Sequence, residues 1–206
     1  MGTDAKPAIT ARNSFRNKAV KTDEENRKLT NYLLRNAHNT PIEFNELHFY
    51  MKMPIFVARQ LVRHRTASIN EVSLRYVEAA NEFYIPEFDR CQRQSVSNKQ
   101  GSSEELVDDP TYVRSIIQNS GNRDYANYQK LLEIGLAKEL ARTVLPLGTF
   151  TEWHWKCDLH NTFHMLGLRL DSHAQYEIRV YAEAVYTLVK EEWPMIVEEW
   201  EKCRRQ

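Results

Sequence analysis

The 206-residue chain carries 28 Lys+Arg against 28 Asp+Glu and so has no formal net charge, which counts against nucleic acid as its main partner, because phosphate contacts supply most of such affinity. With 27% charged and 42% apolar residues it has the composition of a soluble globular protein, long enough to bury a core as one domain. No apolar run approaches the ~20 residues of a membrane span; the start, MGTDAKPAIT, lacks a secretory core, and Cys91, Cys157 and Cys203 form no CxxC pair, which points to the reducing cytoplasm.

TDEENRKLTNYLLRN reads as the first helix. Thr22 and Glu25 stand at capping-box spacing, Leu29 and Leu33 share a face, and Asn36 can end it. NTP at 39–41 is expected to turn the chain. Residues 43–53 alternate, with Leu47, Phe49, Met51 and Met53 on one side and His48, Tyr50 and Lys52 on the other, the pattern of a strand with one buried face. Pro54 opens a helix, IFVARQLVRHR, whose expected apolar face is Ile55, Ala58 and Leu61 to Val62. From 87 to about 123 the chain is polar and reads as a loop or excursion. A helix is expected from about Asp124 to Ile134, broken at Gly135, and a short one over LAKELARTV. TFTEWHWKC alternates as a strand, placing Trp153, Trp155 and Cys157 together. Asp158 is a candidate N-cap for LHNTFHMLGLR, and Asp171 for a longer helix to Glu192 striped by Ala174, Ile178, Ala182, Val185 and Val189. Trp193 and Pro194 precede a last helix. Helices and strands mix without βαβ alternation, so the fold class is α+β, a central mostly antiparallel sheet with flanking helices in a single domain over 1–206.

No GxGxxG or GxxxxGKS occurs, and six glycines leave little for a glycine-built phosphate loop. Phosphates must be met by arginine, and Arg59, Arg63, Arg65 and Arg75 crowd one region, with Arg142 and Arg169 further on. Guanidinium forks match phosphate oxygens and stay charged. A solvated charged face is the plain alternative. Ser68, Asn70, Glu71 and Ser73 follow the arginines, however, and such groups can read the edge of a heterocycle. His160 and His164 share a helical face at a spacing used by metal sites, but no third ligand accompanies them, so no metal is expected. Cys157 lies in no motif and is expected to be a buried, inert thiol.

The stretch RHRTASINEVSLRY fills every fixed position of RHRxxSxNExSxR: Arg63, His64, Arg65, Ser68, Asn70, Glu71, Ser73 and Arg75. In this it resembles the flavin-dependent thymidylate synthases, and the similarity continues through ARNSF, HNTPIEF, PIFVARQ, EFYIP, ELARTVLPL and DLHNTFHMLGLRLDSHAQYEI. The resemblance implies reductive methylation of dUMP to dTMP, with methylenetetrahydrofolate as carbon donor and NADPH as reductant through bound FAD. It implies a homotetramer with active sites at subunit interfaces. It also implies roles by position. Arg63 is shared by FAD and dUMP. His64, Arg65, Asn70 and Glu71 line the flavin pocket, with Ser14, Thr40 and Glu43 as outlying FAD contacts and His38 as a pocket histidine. Asp158, His160 and His164 stand where some relatives have Asn, Arg and Asn, and Leu168 and His173 match FAD contacts. Gln60, Glu71, Val72, Ser73, Leu74, Arg75 and Arg142 match dUMP contacts, with backbone groups serving at Val72 and Leu74. Arg169 matches the catalytic arginine that polarises the uracil ring. Met1 to Pro7 are expected to be poorly ordered, since relatives usually carry a strand before this match. Two rivals remain: a non-catalytic nucleotide- or RNA-binding domain, and an NADPH oxidase-like flavoprotein that has lost the synthase reaction.

Overall fold

The computed structural model describes residues 1–16 and 19–204. In chain order it forms helices α1 (Lys6–Arg12), α2 (Asp23–Arg35) and α3 (Thr40–Glu43), strand β1 (Glu46–Pro54), helix α4 (Ile55–Leu61) and strand β2 (Ser68–Glu71). Strands β3 (Gln92–Gln94) and β4 (Ser102–Leu106) follow, then helices α5 (Pro110–Glu133) and α6 (Lys138–Ala141), strand β5 (Phe150–Asp158), and helices α7 (Leu159–Arg169), α8 (Tyr176–Glu192) and α9 (Pro194–Arg204). A three-stranded sheet has the order β1–β5–β2, and β3 pairs antiparallel with β4. The architecture is α+β, and no helix among the described residues is long and apolar enough to cross a membrane.

The chain divides into two compact units. The first comprises Met1–Phe49, His64–Ile69 and Trp155–Gln206, the second Tyr50–Arg63 and Asn70–His154. In the first unit, α2 packs on α9, α3 on α7, and α7 on α8. Its core holds Trp155, Leu159, Leu166, Ile178, Val189 and Trp193, all nearly inaccessible. In the second unit, Ala79, Tyr128 and Ala141 form a buried cluster, with Leu74, Leu132 and Val144 packed around it.

The expected capping box of α2 is formed: Glu25 N–H donates to Thr22 Oγ1 at 3.3 Å, and Thr22 N–H to the Glu25 carboxylate at 2.9 Å. Both strands predicted from alternation are present, and the inward side of β5 buries Thr151, Trp153, Trp155 and Cys157. Strand β1 starts at Glu46 and not at residue 43, because the chain expected to turn at 39–41 winds instead into α3, which runs to Glu43 with Pro41 in its first turn.

Other boundaries differ for physical reasons. Helix α4 ends at Leu61, so its buried face is Val57, Ala58 and Leu61 while Val62 is exposed. The polar stretch after residue 87 is no continuous loop: it contains the β3/β4 hairpin, and α5 begins at Pro110, where the Asp109 carboxylate accepts from Tyr112 N–H at 2.9 Å. The polar surroundings hid this helix, whose first half buries only Gly121. A Gly121 Cβ would fall 2.4 Å from the Phe83 ring, so this helix approaches that ring closely enough to require glycine. Asp171 does not cap α8, which starts at Tyr176 after Gln175. Instead it closes a local turn on His173 N–H at 2.8 Å, and Ala174 precedes the helix whose stripe it was expected to join.

Met1 to Pro7 are built in. Glu46 N–H donates to Met1 O at 3.0 Å, and the Asp4 carboxylate accepts from Met195 and Ile196 N–H at 2.8 and 2.9 Å, capping α9 from outside its own sequence.

Helix α2 ends in a Schellman arrangement, with His38 N–H donating to Leu33 O at 2.9 Å and Ala37 N–H to Leu34 O at 3.3 Å. Its left-handed position is held by Ala37 at φ 54°, where a Cβ is unfavourable. Ala37→Gly is expected to stabilise the protein by about 0.5–1 kcal/mol, read as a rise in denaturant midpoint at unchanged slope. No change would mean that Ala37 is unstrained.

Candidate active site

Helix α7 is set by its cap. Both Asp158 carboxylate oxygens are taken by Asn161, from its N–H at 2.9 Å and its Nδ2 at 2.8 Å. Asp158, expected as a flavin contact, is thus committed to starting the helix. The cap fixes the helix phase: Leu159, Phe163 and Leu166 are buried, while His160, His164 and Leu168, each four residues on, share the opposite face.

At the end of α7, Arg169 Nε donates to His64 Nε2 at 3.1 Å. His64 is only 9% exposed, and its ring lies edge-on to that of His164 with centroids 6.2 Å apart. Loss of solvent, then the Arg169 charge, then His164 hold the imidazole well below its ordinary value, down to about 4. At neutral pH it is uncharged. A neutral ring that accepts at Nε2 carries its proton on Nδ1, so the Arg169 contact fixes the tautomer. The first unit therefore brings His64, His164 and Arg169 together. Arg65 stands exposed beside them in sequence and makes no hydrogen bond or ion pair with any described residue. Ser14, Thr40, Glu43 and His38 lie exposed in the same unit, and the His38 ring meets Tyr32 edge-on at 5.7 Å. His173 is turned onto the Asp171 carboxylate at 2.8 Å.

The second unit carries the rest of the motif. Thr151 Oγ1 donates to Glu71 Oε1 at 2.6 Å, and Val72 N–H donates to Glu152 O at 2.8 Å, so two adjacent bonds tie the motif to β5. The Val72 amide is therefore spent on the protein, and of the backbone groups expected to serve at Val72 its carbonyl is what remains for a ligand. The next residues turn, with Tyr76 N–H donating to Ser73 O at 2.9 Å. The amides of Ser73 and Leu74 have no acceptor among the described residues. Arg75 is half exposed, 3.6 Å from Glu139 and 5.9 Å from the Tyr76 ring centre. Arg142 Nε donates to Glu139 O at 3.2 Å, and Arg63 has no partner among the described residues. Gln60 lies on α4, half-buried.

Thr151 escaped the reading of the motif. Its signal was present: a hydroxyl at an inward position of an alternating strand must find a partner. Cys157, in the first unit, is buried, and desolvation pushes its thiol up to about 11, too high for a nucleophilic thiolate at neutral pH. Among the described residues no three His, Cys, Asp or Glu converge as metal ligands.

Arg63 and Arg65, exposed without carboxylate partners among the described residues, the unclaimed Ser73 and Leu74 amides and the neutral His64 ring are groups of the kind that phosphorylated, flat-ringed ligands use. Comparisons give the chain a family. Residues 1–195 match the Thy1 model, described as thymidylate synthase complementing protein. The chain is 47% identical over 198 residues to the flavin-dependent thymidylate synthase of Wolbachia pipientis wMel, covering 95% of this chain and 69% of that one. It is also 47% identical over 204 residues to that of Treponema denticola, covering 98% and 76%. Among solved structures, the UMP/dUMP methylase PolB from Streptomyces cacaoi bound with 5-Br dUMP is similar at a TM-score of 0.89 and 30% identity, covering 98% of this chain and 91% of that one. The chain belongs to the flavin-dependent thymidylate synthase family. It spans about two thirds of the length of several of these relatives, 65% in one from Ehrlichia ruminantium.

The donors fit FAD. Its diphosphate needs a cation not already neutralised, which Arg65 is, and its ring needs neutral polar neighbours, of which His64 in the same unit is one.

In an unfolded chain His64 titrates near 6.5; in the fold it does so at about 4. Between these values the unfolded state binds the extra proton first. The stability this group supports is therefore full above about 6.5, declines as pH falls toward 4, and changes no further below. Imidazole NMR is expected to show a His64 midpoint at about 4, rising in Arg169→Ala but staying below 6.5 because burial remains. A wild-type midpoint at 6.5 would contradict the desolvated pairing.

Proposed function

We propose that the chain reductively methylates dUMP to dTMP, taking its carbon from methylenetetrahydrofolate and its reducing power from NADPH. What carries this reading is the complete RHRTASINEVSLRY motif, with Arg63 and Arg65 unpaired among the described residues, in a chain of this family whose structural neighbour is described as a dUMP methylase. When bound, FAD supplies the hydride carrier that NADPH recharges.

The protein's own groups divide the work. Arg63 and Arg65 bind phosphate oxygens of the flavin nucleotide, with Asn70 meeting polar ring edges. Ser14, Thr40, Glu43, His160, Leu168 and His173 serve as more distant flavin contacts. The Ser73 and Leu74 amides, Arg75 and Arg142 bind the dUMP phosphate, a cluster of donors suited to an oxyanion. Glu71 and Gln60 fix the nucleotide's orientation. Arg169 is the catalytic group: its cation stabilises negative charge that develops on the uracil ring when hydride arrives. Neutral His64 accepts from Arg169 Nε at 3.1 Å and so aims the guanidinium without cancelling its charge. No cysteine takes part, in keeping with the buried Cys157 thiol. We place the protein in the cytoplasm, in line with its three free cysteines, and as a homotetramer with active sites at subunit interfaces, in line with the family resemblance.

The test is tritium release from C5-labelled dUMP with FAD, NADPH and methylenetetrahydrofolate. Release that depends on the folate is expected, and Arg169→Ala is expected to lower it roughly a hundredfold with FAD retained. No release above the folate-free control, in protein that binds FAD, would leave the oxidase reading in its place. Full turnover in Arg169→Ala would remove the role given to that residue.

A further inference from the structure

We propose that Thr151, outside the motif, is a positioning residue that aims the Glu71 carboxylate at the nucleotide; this rests on the reading of Glu71 as a dUMP-binding group. Thr151 lies on the inward side of β5 and is 5% exposed, between Phe150 and Glu152, which are less buried. Its hydroxyl donates to Glu71 Oε1 at 2.6 Å, the short length of a charge-assisted bond. Glu71 is otherwise an exposed side chain at the end of β2, with three rotatable bonds and no other partner among the described residues.

Three observations make this bond directional. Threonine is β-branched and on a strand, so its χ1 is restricted and the hydroxyl direction follows the backbone. The next residue of β5 anchors the next residue of the motif, since Glu152 O accepts from Val72 N–H at 2.8 Å. Glu71 is thus held at both its side chain and its following peptide. Finally, Thr151 spends one carboxylate oxygen and leaves Oε2 without a donor among the described residues, so Glu71 can accept from a ligand N–H or O–H with one oxygen while the other is fixed. Preorganisation of this kind saves the ordering of a flexible carboxylate upon binding. It acts in the ground state, so its loss is expected in affinity and not in the chemical step.

The experiment compares Thr151→Val, Thr151→Ser and wild type, each loaded with FAD. Affinity for dUMP is measured by titration calorimetry, alongside flavin content, KM for dUMP and kcat. Thr151→Val keeps the shape and removes the donor. It is expected to weaken dUMP binding and raise KM roughly tenfold, the worth of a hydrogen bond to a charged group, with kcat within about threefold and flavin content unchanged. Thr151→Ser restores the donor and is expected to bind within about threefold of wild type. If Thr151→Val does not fold, Thr151→Ala carries the same expectation.

Wild-type affinity in the valine or alanine protein would overturn the proposal. So would equal losses in the valine and serine proteins, which would mark a packing role. A wild-type protein that holds FAD but does not bind dUMP would instead overturn the functional reading and the proposal with it, an outcome visible before any variant is made.

Discussion

Strict alternation along β5 is the constraint on which the rest of the structure depends. From Phe150 to Asp158 every second side chain, Thr151, Trp153, Trp155 and Cys157, is buried. A slip of one residue would turn two tryptophans into solvent and bury Lys156, so the register is strongly specified. Everything functional in each unit follows from it. In the second unit the register puts the Thr151 hydroxyl against Glu71 and the Glu152 carbonyl against Val72. In the first it delivers Asp158 as the cap of α7, whose phase then places His160 and His164 on one face and Arg169 on His64.

The electrostatics follow a simple economy. Burying a charge is costly, whereas a buried neutral group needs only its hydrogen bonds. The interior position of the motif is accordingly given to a histidine kept uncharged, while Arg63, Arg65 and Arg75 remain at the surface, where hydration holds their charge until a phosphate replaces water. Zero net charge is compatible with this, because the cations are concentrated locally and balanced by carboxylates elsewhere, such as those of Glu198 and Glu199 on Arg27.

Much of this was legible in the sequence, for reasons tied to particular residues. Period-two patterning disclosed β1 and β5, and short-range capping chemistry disclosed the starts of α2 and α7, since Thr22 and Asp158 act within four residues of themselves. The motif offered the two sets of groups proposed to bind the ligands. What was illegible depends on tertiary contact. The first half of α5 follows a polar stretch and buries only Gly121, although Asp109 and Pro110 mark its start. Asp4 caps a helix that begins 190 residues later. Asp171 resembled a cap but serves its own turn, and the Val72 amide is claimed by a strand carbonyl, which the motif alone does not disclose.

The central claim is that one short stretch performs two separable tasks, flavin binding at Arg63 to Arg65 and nucleotide binding toward Arg75. The most direct test is to measure flavin content and dUMP affinity together in Arg75→Ala. The expected result is flavin retained at the wild-type level with dUMP binding weakened tenfold or more, about 1.4 kcal/mol or above. Loss of flavin with dUMP affinity unchanged would contradict the division of the motif.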